Sequence, residues 1–504
     1  MWTSFSSPRH RHSQRLPGPR RALRPILTTL EGRIVLSVAF DSVLTVGNDT
    51  ASISLTDSAV DAAGNTYVTG NLQATMDFDP ANVRADGSDI LSPRGTSDAY
   101  VAKYNADNSF AWARSLGGDY VRQSNLDEFE KGNGIRVDGA GNVYVTGTFF
   151  GQADFGAFRL TSAGDADAFV AKLDGSGGVV WAKGWGSSEQ DVGNDLAVDG
   201  AGNVISVGTS AYSDPVKGWI ANESQVRKYG PTGAAVWSAS FAGPTHGAYG
   251  VATDAANNIY VAGRFSGNPD FNPSPKKANY ASASGSYSNY GSGYVLKLTS
   301  AGAYGWVSAF QTRPTQKTSG SALTIFDIAA DAAGDVAVVG NFQGEIDFNP
   351  SASVDTRLPD TRLVNGFVVK LTSNGSLAWA RHTGGDGAAA VAFDAAGAVY
   401  VTGWFSSAAP GFSPGFGLPD TPSHGAADVY LSKYTSAGNL AWAVTFGGAG
   451  PDAGHGLSVD ASGIIYLAGL WGAGTTDFDP TLQGTQERTN TAFGDLFLLK
   501  LRQS

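Results

Sequence analysis

The sequence predicts an all-β chain, a closed ring of seven four-stranded antiparallel blades, and three observations predict it. A ten-residue phrase, Asp61 to Gly70, returns six more times, beginning at Asp138, Asp199, Asp254, Asp331, Asp394 and Asp460. A second phrase follows each copy: an apolar run carrying Lys103, Lys172, Lys228, Lys297, Lys370, Lys433 or Lys500. In the first six copies a Trp stands nine residues later, at Trp112, Trp181, Trp237, Trp306, Trp379 and Trp442. The seventh copy stops four residues after Lys500, while the first strand-like stretch, Val38 to Gly47, lines up with Leu440 to Gly447. The start of the chain thus supplies what the last unit lacks, closing a ring without an open sheet edge.

Each element of the unit has a local reason. The phrase reads Asp, two small residues, Gly or Asn, then a β-branched and aromatic run ending in Gly. Gly64 stands where a tight hairpin needs positive φ, Asp61 can accept bonds from the backbone two residues on, and Tyr67-Val68-Thr69 has strand composition. Strand A therefore ends at the repeated Asp, strand B is the Tyr-Val-Thr-Gly run, strand C ends near the Lys and strand D carries the Trp. The A–B and C–D turns are short and nearly constant. The B–C and D–A connections vary, with long examples at 265 to 292 and 311 to 322. In an antiparallel meander the two variable sets share one face, and function is expected there.

Composition agrees. The 504 residues hold 66 Gly, 26 Phe, 18 Tyr and 11 Trp, a turn-rich and aromatic-rich all-β composition. Length alone would predict about three domains. Repeats starting 55 to 77 residues apart instead predict one array over 38–504, because each unit buries its faces only against its neighbours. The formal net charge is −11, yet residues 1–37 carry seven Arg against Glu31 alone, leaving −17 on the rest. An acidic body excludes nucleic acid as partner, since phosphate neutralisation needs Lys and Arg. Zero cysteines exclude disulfides, thiolate metal sites and a Cys nucleophile. Residues 1–37 contain no apolar run long enough to span a membrane and no clear signal-peptide core, and read as a basic, disordered segment.

Two resemblances follow from these residues. Leu30-Glu31-Gly32-Arg33-Ile34-Val35-Leu36 resembles the short L-E-P-R-x-L-L segment near the start of many large bacterial surface proteins, with Gly32 in place of its Pro. The combined D-x-x-G-N-x-Y-V-T-G phrase, V-x-K strand and downstream A-W over residues 38–504 resembles the SBBP class of bacterial β-propeller repeats. That resemblance implies a seven-bladed propeller in an exported or cell-surface protein, without assigned chemistry. Unit three departs from the pattern by lacking the Phe motif after strand B.

Three sets of residues carry the functional reading. Asp77-Phe78-Asp79-Pro80 recurs as Asp154-Phe155, Asp270-Phe271-Asn272-Pro273, Asp347-Phe348-Asn349-Pro350 and Asp477-Phe478-Asp479-Pro480. It reads either as a Phe tucked between blades before an Asx-Pro turn, or as Ca²⁺ ligation by Asp77, Asp79, Asp477 and Asp479. Eight residues before the repeated Asp stand Glu130, Asp191, His246, Asp386 and Asp452, and four before it stand Asp57, Asp195 and Asp327. Strand A is innermost in such a ring, so these groups are expected at the mouth of a central channel, as a hydrated acidic funnel or as a site for a cation or polar ligand. No H-E-x-x-H, G-x-S-x-G or P-loop pattern appears.

The function expected is a monomeric, non-catalytic binding or scaffold module outside the cytoplasm, meeting a protein or glycan with its variable face. The alternative is a divalent-cation-dependent carbohydrate-active hydrolase or lyase at the channel mouth. Two structural expectations accompany this: Phe40 fills the slot of the missing Trp, and the repeated lysines hold the Asp or carbonyls of A–B turns.

Overall fold

The computed structural model describes residues 38–47, 53–82, 84–121, 129–214, 219–243, 247–274, 279, 291–312, 322–349, 356–358, 364–406, 423–480, 485–491 and 494–503. Contacts divide the chain into Met1–Leu36 and Ser37–Ser504. The segment 1–37, His246 and most of the 265 to 292 connection lie outside the described residues. The rest is all-β, and every repeat unit pairs its strands in the order A-B-C-D. In unit three these are Asp191–Val198, Val204–Asp214, Trp219–Tyr229 and Ala235–Gly243. Unit seven runs Ala453–Val459, Ile464–Trp471 and Asp495–Gln503, and its fourth strand is Val38–Val46, antiparallel to Asp495–Gln503 from Val38↔Gln503 to Val46↔Leu496. Inner strands touch in succession from unit one to unit seven, and Ala453–Val459 of unit seven touches Ile53–Val60 of unit one.

The repeated Asp organises its turn through both carboxylate oxygens. Asp61 Oδ1 accepts the N–H groups of Ala63 (2.9 Å) and Asn65 (3.0 Å), while Oδ2 accepts the Tyr67 hydroxyl at 3.0 Å. Gly64 has φ of 81°, the left-handed conformation the sequence expects there. Asp138, Asp254, Asp394 and Asp460 repeat the arrangement with Tyr144, Tyr260, Tyr400 and Tyr466. Hydrogen bonding holds the Asp61 carboxyl below its ordinary value despite the opposing effect of burial, and burial followed by Asp61 pushes the Tyr67 phenol up.

Successive units are latched by the Trp. The Trp112 indole N–H donates to Gly175 O at 3.0 Å in the C–D turn of unit two, and Trp181 donates to Pro231 O at 3.1 Å in unit three. Trp237, Trp306 and Trp379 continue the series onto Ser300, Ser373 and Ser436. Each ring lies against the positive-φ glycine of that turn. A Cβ on Gly177 would come within 2.8 Å of Trp112, and one on Gly438 within 2.5 Å of Trp379.

The first strand corrects one expectation. Lysine and Trp pair directly in the other units, as in Lys433↔Trp442, but Lys500 pairs with Ser42 and Phe40 faces Leu501. Ser42, not Phe40, stands at the Trp position, so the alignment is displaced by two residues. Where the next turn elsewhere has a glycine under the Trp, unit one has Asn108, with φ of 67°, whose side chain donates to Ser42 Oγ at 3.1 Å. Val46, Leu496 and Leu498 of unit seven share one core with Ile53, Leu55, Val68 and Phe78 of unit one.

The lysines correct another. Lys228, Lys370 and Lys433 reach their own A–B turns, with Lys228 at 2.8 Å from Asp199 and Lys433 at 3.2 Å from Asp394. The carbonyls taken belong instead to the C–D turn of the next unit: Ser300 from Lys228 at 3.0 Å, Ser373 from Lys297 at 3.3 Å and Ala106 from Lys500. Lys103 and Lys172 lie over the strand B rings of Tyr67 and Tyr144, each 5.1 Å from the centroid. Burial therefore decides the cost of removing a lysine. Lys228→Met, which leaves buried Asp199 without its cation, is expected to cost about 3 kcal/mol. Lys172→Met is expected to cost about 0–1 kcal/mol, the range of a partly exposed interaction. Urea denaturation of the two variants checks this; equal losses would refute it.

Candidate functional site: the inner wall and the acidic connections

The Asp-Phe motif fastens the B–C connection. Asp477 Oδ1 accepts the N–H groups of Asp479 (3.0 Å) and Gln486 (2.7 Å), and Asp347 and Asp270 do the same with residues two and nine positions on. Asp77 Oδ1 accepts the Asp79 N–H at 2.8 Å, while Asp79 meets Asn82 Nδ2 at 2.9 Å and Arg84 Nε at 3.1 Å. The ring between them is buried and docks on strand D of the preceding unit: Phe271 lies 5.9 Å from Phe241, Phe348 5.7 Å from Phe310 and Phe478 6.3 Å from Phe446. The motif's backbone also pairs with that strand, through Gly117↔Asp154 and Gln311↔Asp347. These are the contacts of an inter-unit staple. Among the described residues, no three His, Asp or Glu stand together as metal ligands.

Acids at the entry to strand A fasten the D–A connection. Glu130 accepts the N–H groups of Gly118 (2.9 Å) and Phe150 (3.1 Å), and Asp452 those of Gly448 (2.7 Å) and Gly472 (2.9 Å). Each carboxylate thus ties the incoming connection to the end of strand B in its own unit. Asp386 accepts the Ser406 N–H (2.7 Å) and hydroxyl (2.6 Å), and Asp191 those of Ser187, at 2.6 and 3.0 Å. Burial pushes Glu130 up to about 7 and Asp452 to about 6, with the backbone donors and a neighbouring Asp98 or Asp428 acting as smaller effects.

A different set lines the inner wall. Strand A is an edge strand, so its outward N–H and C=O groups need partners. Asp57 of unit one accepts the Ile135 N–H of unit two at 3.0 Å; Asp195 of unit three accepts Val251 N–H at 2.9 Å; Asp327 of unit five accepts Val391 N–H at 2.9 Å. The intervening units carry Gly134, Gly250, Ala390 and Gly456 at this position. A Cβ on Gly134 would approach Asp195 to within 2.9 Å, so unit two has little room for a side chain beside the unit three carboxylate.

Arg136 joins the carboxylates. It meets Asp57, and lies 3.1 Å from Asp195, bridging units one, two and three. Its side chain keeps 29% of its surface open to water. Burial opposes its charge, but Asp195, Asp57 and Asp327 outweigh that and hold it firmly protonated. Asp327, of unit five, makes no direct contact with it; burial first, then Asp195, pushes Asp327 up to about 7. The spacing singled out the three aspartates but not Arg136. The signal was present: two before the repeated Asp the chain has Ala59, Arg136, Ala197, Ala252, Ala329, Ala392 and Ser458, one long cation among small residues.

No family model matches the chain. It is similar, at 25% identity over 182 residues, to an uncharacterized WD repeat-containing protein of Acanthamoeba polyphaga mimivirus, a match covering 34% of this chain and 12% of that one. The chain is a β-propeller repeat protein. Among solved structures it is similar to the Dos1 propeller, with TM-score 0.43, 9% identity and coverage of 94% of this chain and 97% of that chain. It is also similar to a polysaccharide lyase, an ulvan lyase, with TM-score 0.40, 12% identity and coverage of 86% and 92%. Among the described residues, no helix is long and apolar enough to cross a membrane.

Proposed function

We propose that this propeller is a seven-bladed ring of the SBBP type, closed by its N-terminal strand, and works outside the cytoplasm as a non-catalytic binding module. The partner, a protein or a glycan, meets the face of the variable B–C and D–A connections. One observation carries the non-catalytic reading: the described acids that the repeat places along strand A are engaged by backbone N–H groups or by Arg136. A catalytic carboxylate pair needs oxygens turned toward substrate, whereas these hold connections and edge strands in place. The repeated use of one staple in many units is what a scaffold for variable loops requires.

The test is to incubate the purified chain with panels of immobilised extracellular glycans and surface proteins, with and without Ca²⁺, and to assay the same glycans for cleavage. Saturable binding without product, unchanged by chelation, is the expected result. Release of unsaturated or reducing ends in a Ca²⁺-dependent manner would overturn it in favour of a lyase or hydrolase.

A further inference from the structure

At three joints between consecutive units, two acids are buried side by side. The first begins strand C, five residues before the repeated Lys: Asp98 in unit one, Asp167 in unit two and Asp428 in unit six. The second enters strand A of the following unit: Glu130, Asp191 or Asp452. All six are buried, and in each pair one acid acts on the other as a like charge. A glycine at the end of strand D makes the room, since a Cβ on Gly186 would run into Asp167 and one on Gly447 into Asp428. A Cβ on Gly117 would lie 2.6 Å from Asp98 Oδ1 and 2.5 Å from Glu130 Oε2, so these two oxygens are about 5 Å apart or less.

The strand C acids use only one of their oxygens. Asp98 Oδ2 accepts Arg94 Nε at 3.2 Å and the Ser115 hydroxyl, Asp167 Oδ2 accepts the Ala163 N–H at 3.0 Å, and Asp428 Oδ2 accepts the His424 N–H at 2.7 Å. The Oδ1 atom of each is buried with no hydrogen-bond partner. The charged groups beside the pairs are Arg94, which also lies 3.5 Å from Asp154, Arg227 near Asp191, and the His424 ring, 3.2 Å from Asp428 Oδ2. Two ionised carboxylates held like this would repel each other without hydration to offset it. One proton removes a charge and turns an orphaned acceptor into a donor. The joint between units five and six supplies a comparison: its entry acid is Asp386, and the strand C position holds buried Asn365. An amide has nearly the shape of a protonated Asp and always carries the donor that Asp has only with its proton.

We propose that the pairs Asp98–Glu130, Asp167–Asp191 and Asp428–Asp452 each hold one shared proton, which fastens the base of a D–A connection and passes to solvent as pH rises, loosening that connection. The acids tie these connections down directly, since Glu130 and Asp452 accept a backbone N–H on each oxygen. The proton belongs to the pair and not to one residue. Burial raises Glu130 to about 7 and Asp452 to about 6. The fastening is therefore complete below the ordinary carboxylate range near 4 and is lost as pH rises through about 6 to 7. This concerns how the variable face is held, and stands whatever that face binds.

The experiment is amide hydrogen exchange on the full chain at pH 5 and pH 8, corrected for the intrinsic exchange rate. The reporters are the N–H groups of Gly118 and Phe150, which donate to Glu130, and those of Gly448 and Gly472, which donate to Asp452. In the wild type their protection is expected to fall about tenfold or more between the two pH values. In Asp98→Asn the Gly118 and Phe150 protection should stay level while Gly448 and Gly472 still lose theirs, and Asp428→Asn should give the reverse pattern. That reciprocity separates the pairs from the inner-wall aspartates, whose titration both variants share. His424→Gln should keep the fall at Gly448 and Gly472; its disappearance would assign the effect to the His424 ring and overturn the proposal at that joint. Melting curves at both pH values show that each variant is folded. Protection that does not change with pH, or that falls alike in the wild type and both amide variants, would overturn the shared proton. So would protection at pH 8 that added CaCl₂ restores and a chelator removes, since the pairs would then hold a cation.

Discussion

A chain beginning at residue 48 is expected to unfold or aggregate under conditions where one beginning at Ser37 melts together with the full chain. The shorter chain loses Val38–Val46, a strand that pairs along its whole length with Asp495–Gln503 and buries both of its ends, Val38 at 1% and Val46 at 0% exposure. It also loses the Asp41–Arg502 ion pair at 2.6 Å and the Ser42 acceptor of Asn108. Burying a Val or Leu side chain contributes about 1.5–3 kcal/mol. With Val38, Val46 and the packed Leu44 lost together, about 5–8 kcal/mol disappears, a large share of the ~5–15 kcal/mol that holds a domain folded. Leu496, Leu498 and Leu499 would then lie on an open edge strand, which invites pairing with other molecules. Thermal melts with size-exclusion chromatography check the outcome. Equal melting temperatures for the two truncations would mean that the first strand is dispensable.

How much of this was legible depended on repetition. The Asp turn could be read because seven copies share one backbone requirement, a Gly or Asn at positive φ, and because Tyr-Val-Thr composition marks the strand that follows. The pairing of the first strand with the last was legible for the same reason, but its register was not. Aromatic character aligns Phe40 with Trp442, whereas the ladder places it opposite Leu501, two residues from the Trp slot. Sequence distance hides the partners that the lysines find in the next unit: the Ser300 carbonyl that Lys228 takes lies 72 residues further on. The acids of strand A were located, but not their partners, since a backbone N–H leaves no mark in a sequence. The hairpin Gly474–Asp477 with Glu487–Asn490 begins the Asp-Phe motif at Asp477, but the motif shows in the sequence and the strand pairing does not. Arg136 occurs once and breaks the repeat, so the shared pattern carries no mark of it.

Arg136 is also the side chain on strand A that meets two carboxylates of other units. Arg136→Ala is expected to cost about 3–5 kcal/mol near pH 8, the usual loss when one member of a buried charge group is removed and the other charges stay behind. Asp57, Asp195 and Asp327 would then share the wall with nothing to offset them. The loss should depend on pH, and its sign follows from the aspartates. Burial raises Asp195 and takes Asp327 up to about 7, so in the folded chain both bind protons more readily than when unfolded. Their contribution to stability is present in full below the ordinary carboxylate range near 4 and is lost as pH rises through about 7. Arg136 lowers both groups, so removing it raises them further and deepens the deficit on the alkaline side. The difference between wild type and variant should therefore be largest near pH 8 and shrink steadily toward pH 5. His455, lowered to about 4, acts with the opposite sign because the unfolded chain takes up its proton first, but it is common to both proteins and cancels in the difference. Adding Asp195→Asn to Arg136→Ala removes one of the unbalanced charges and should recover part of the stability at pH 8 while changing little at pH 5. Denaturant unfolding of the three proteins at both pH values decides it: a deficit independent of pH, with no recovery from Asp195→Asn, would mean that Arg136 supports the wall by packing and not by charge.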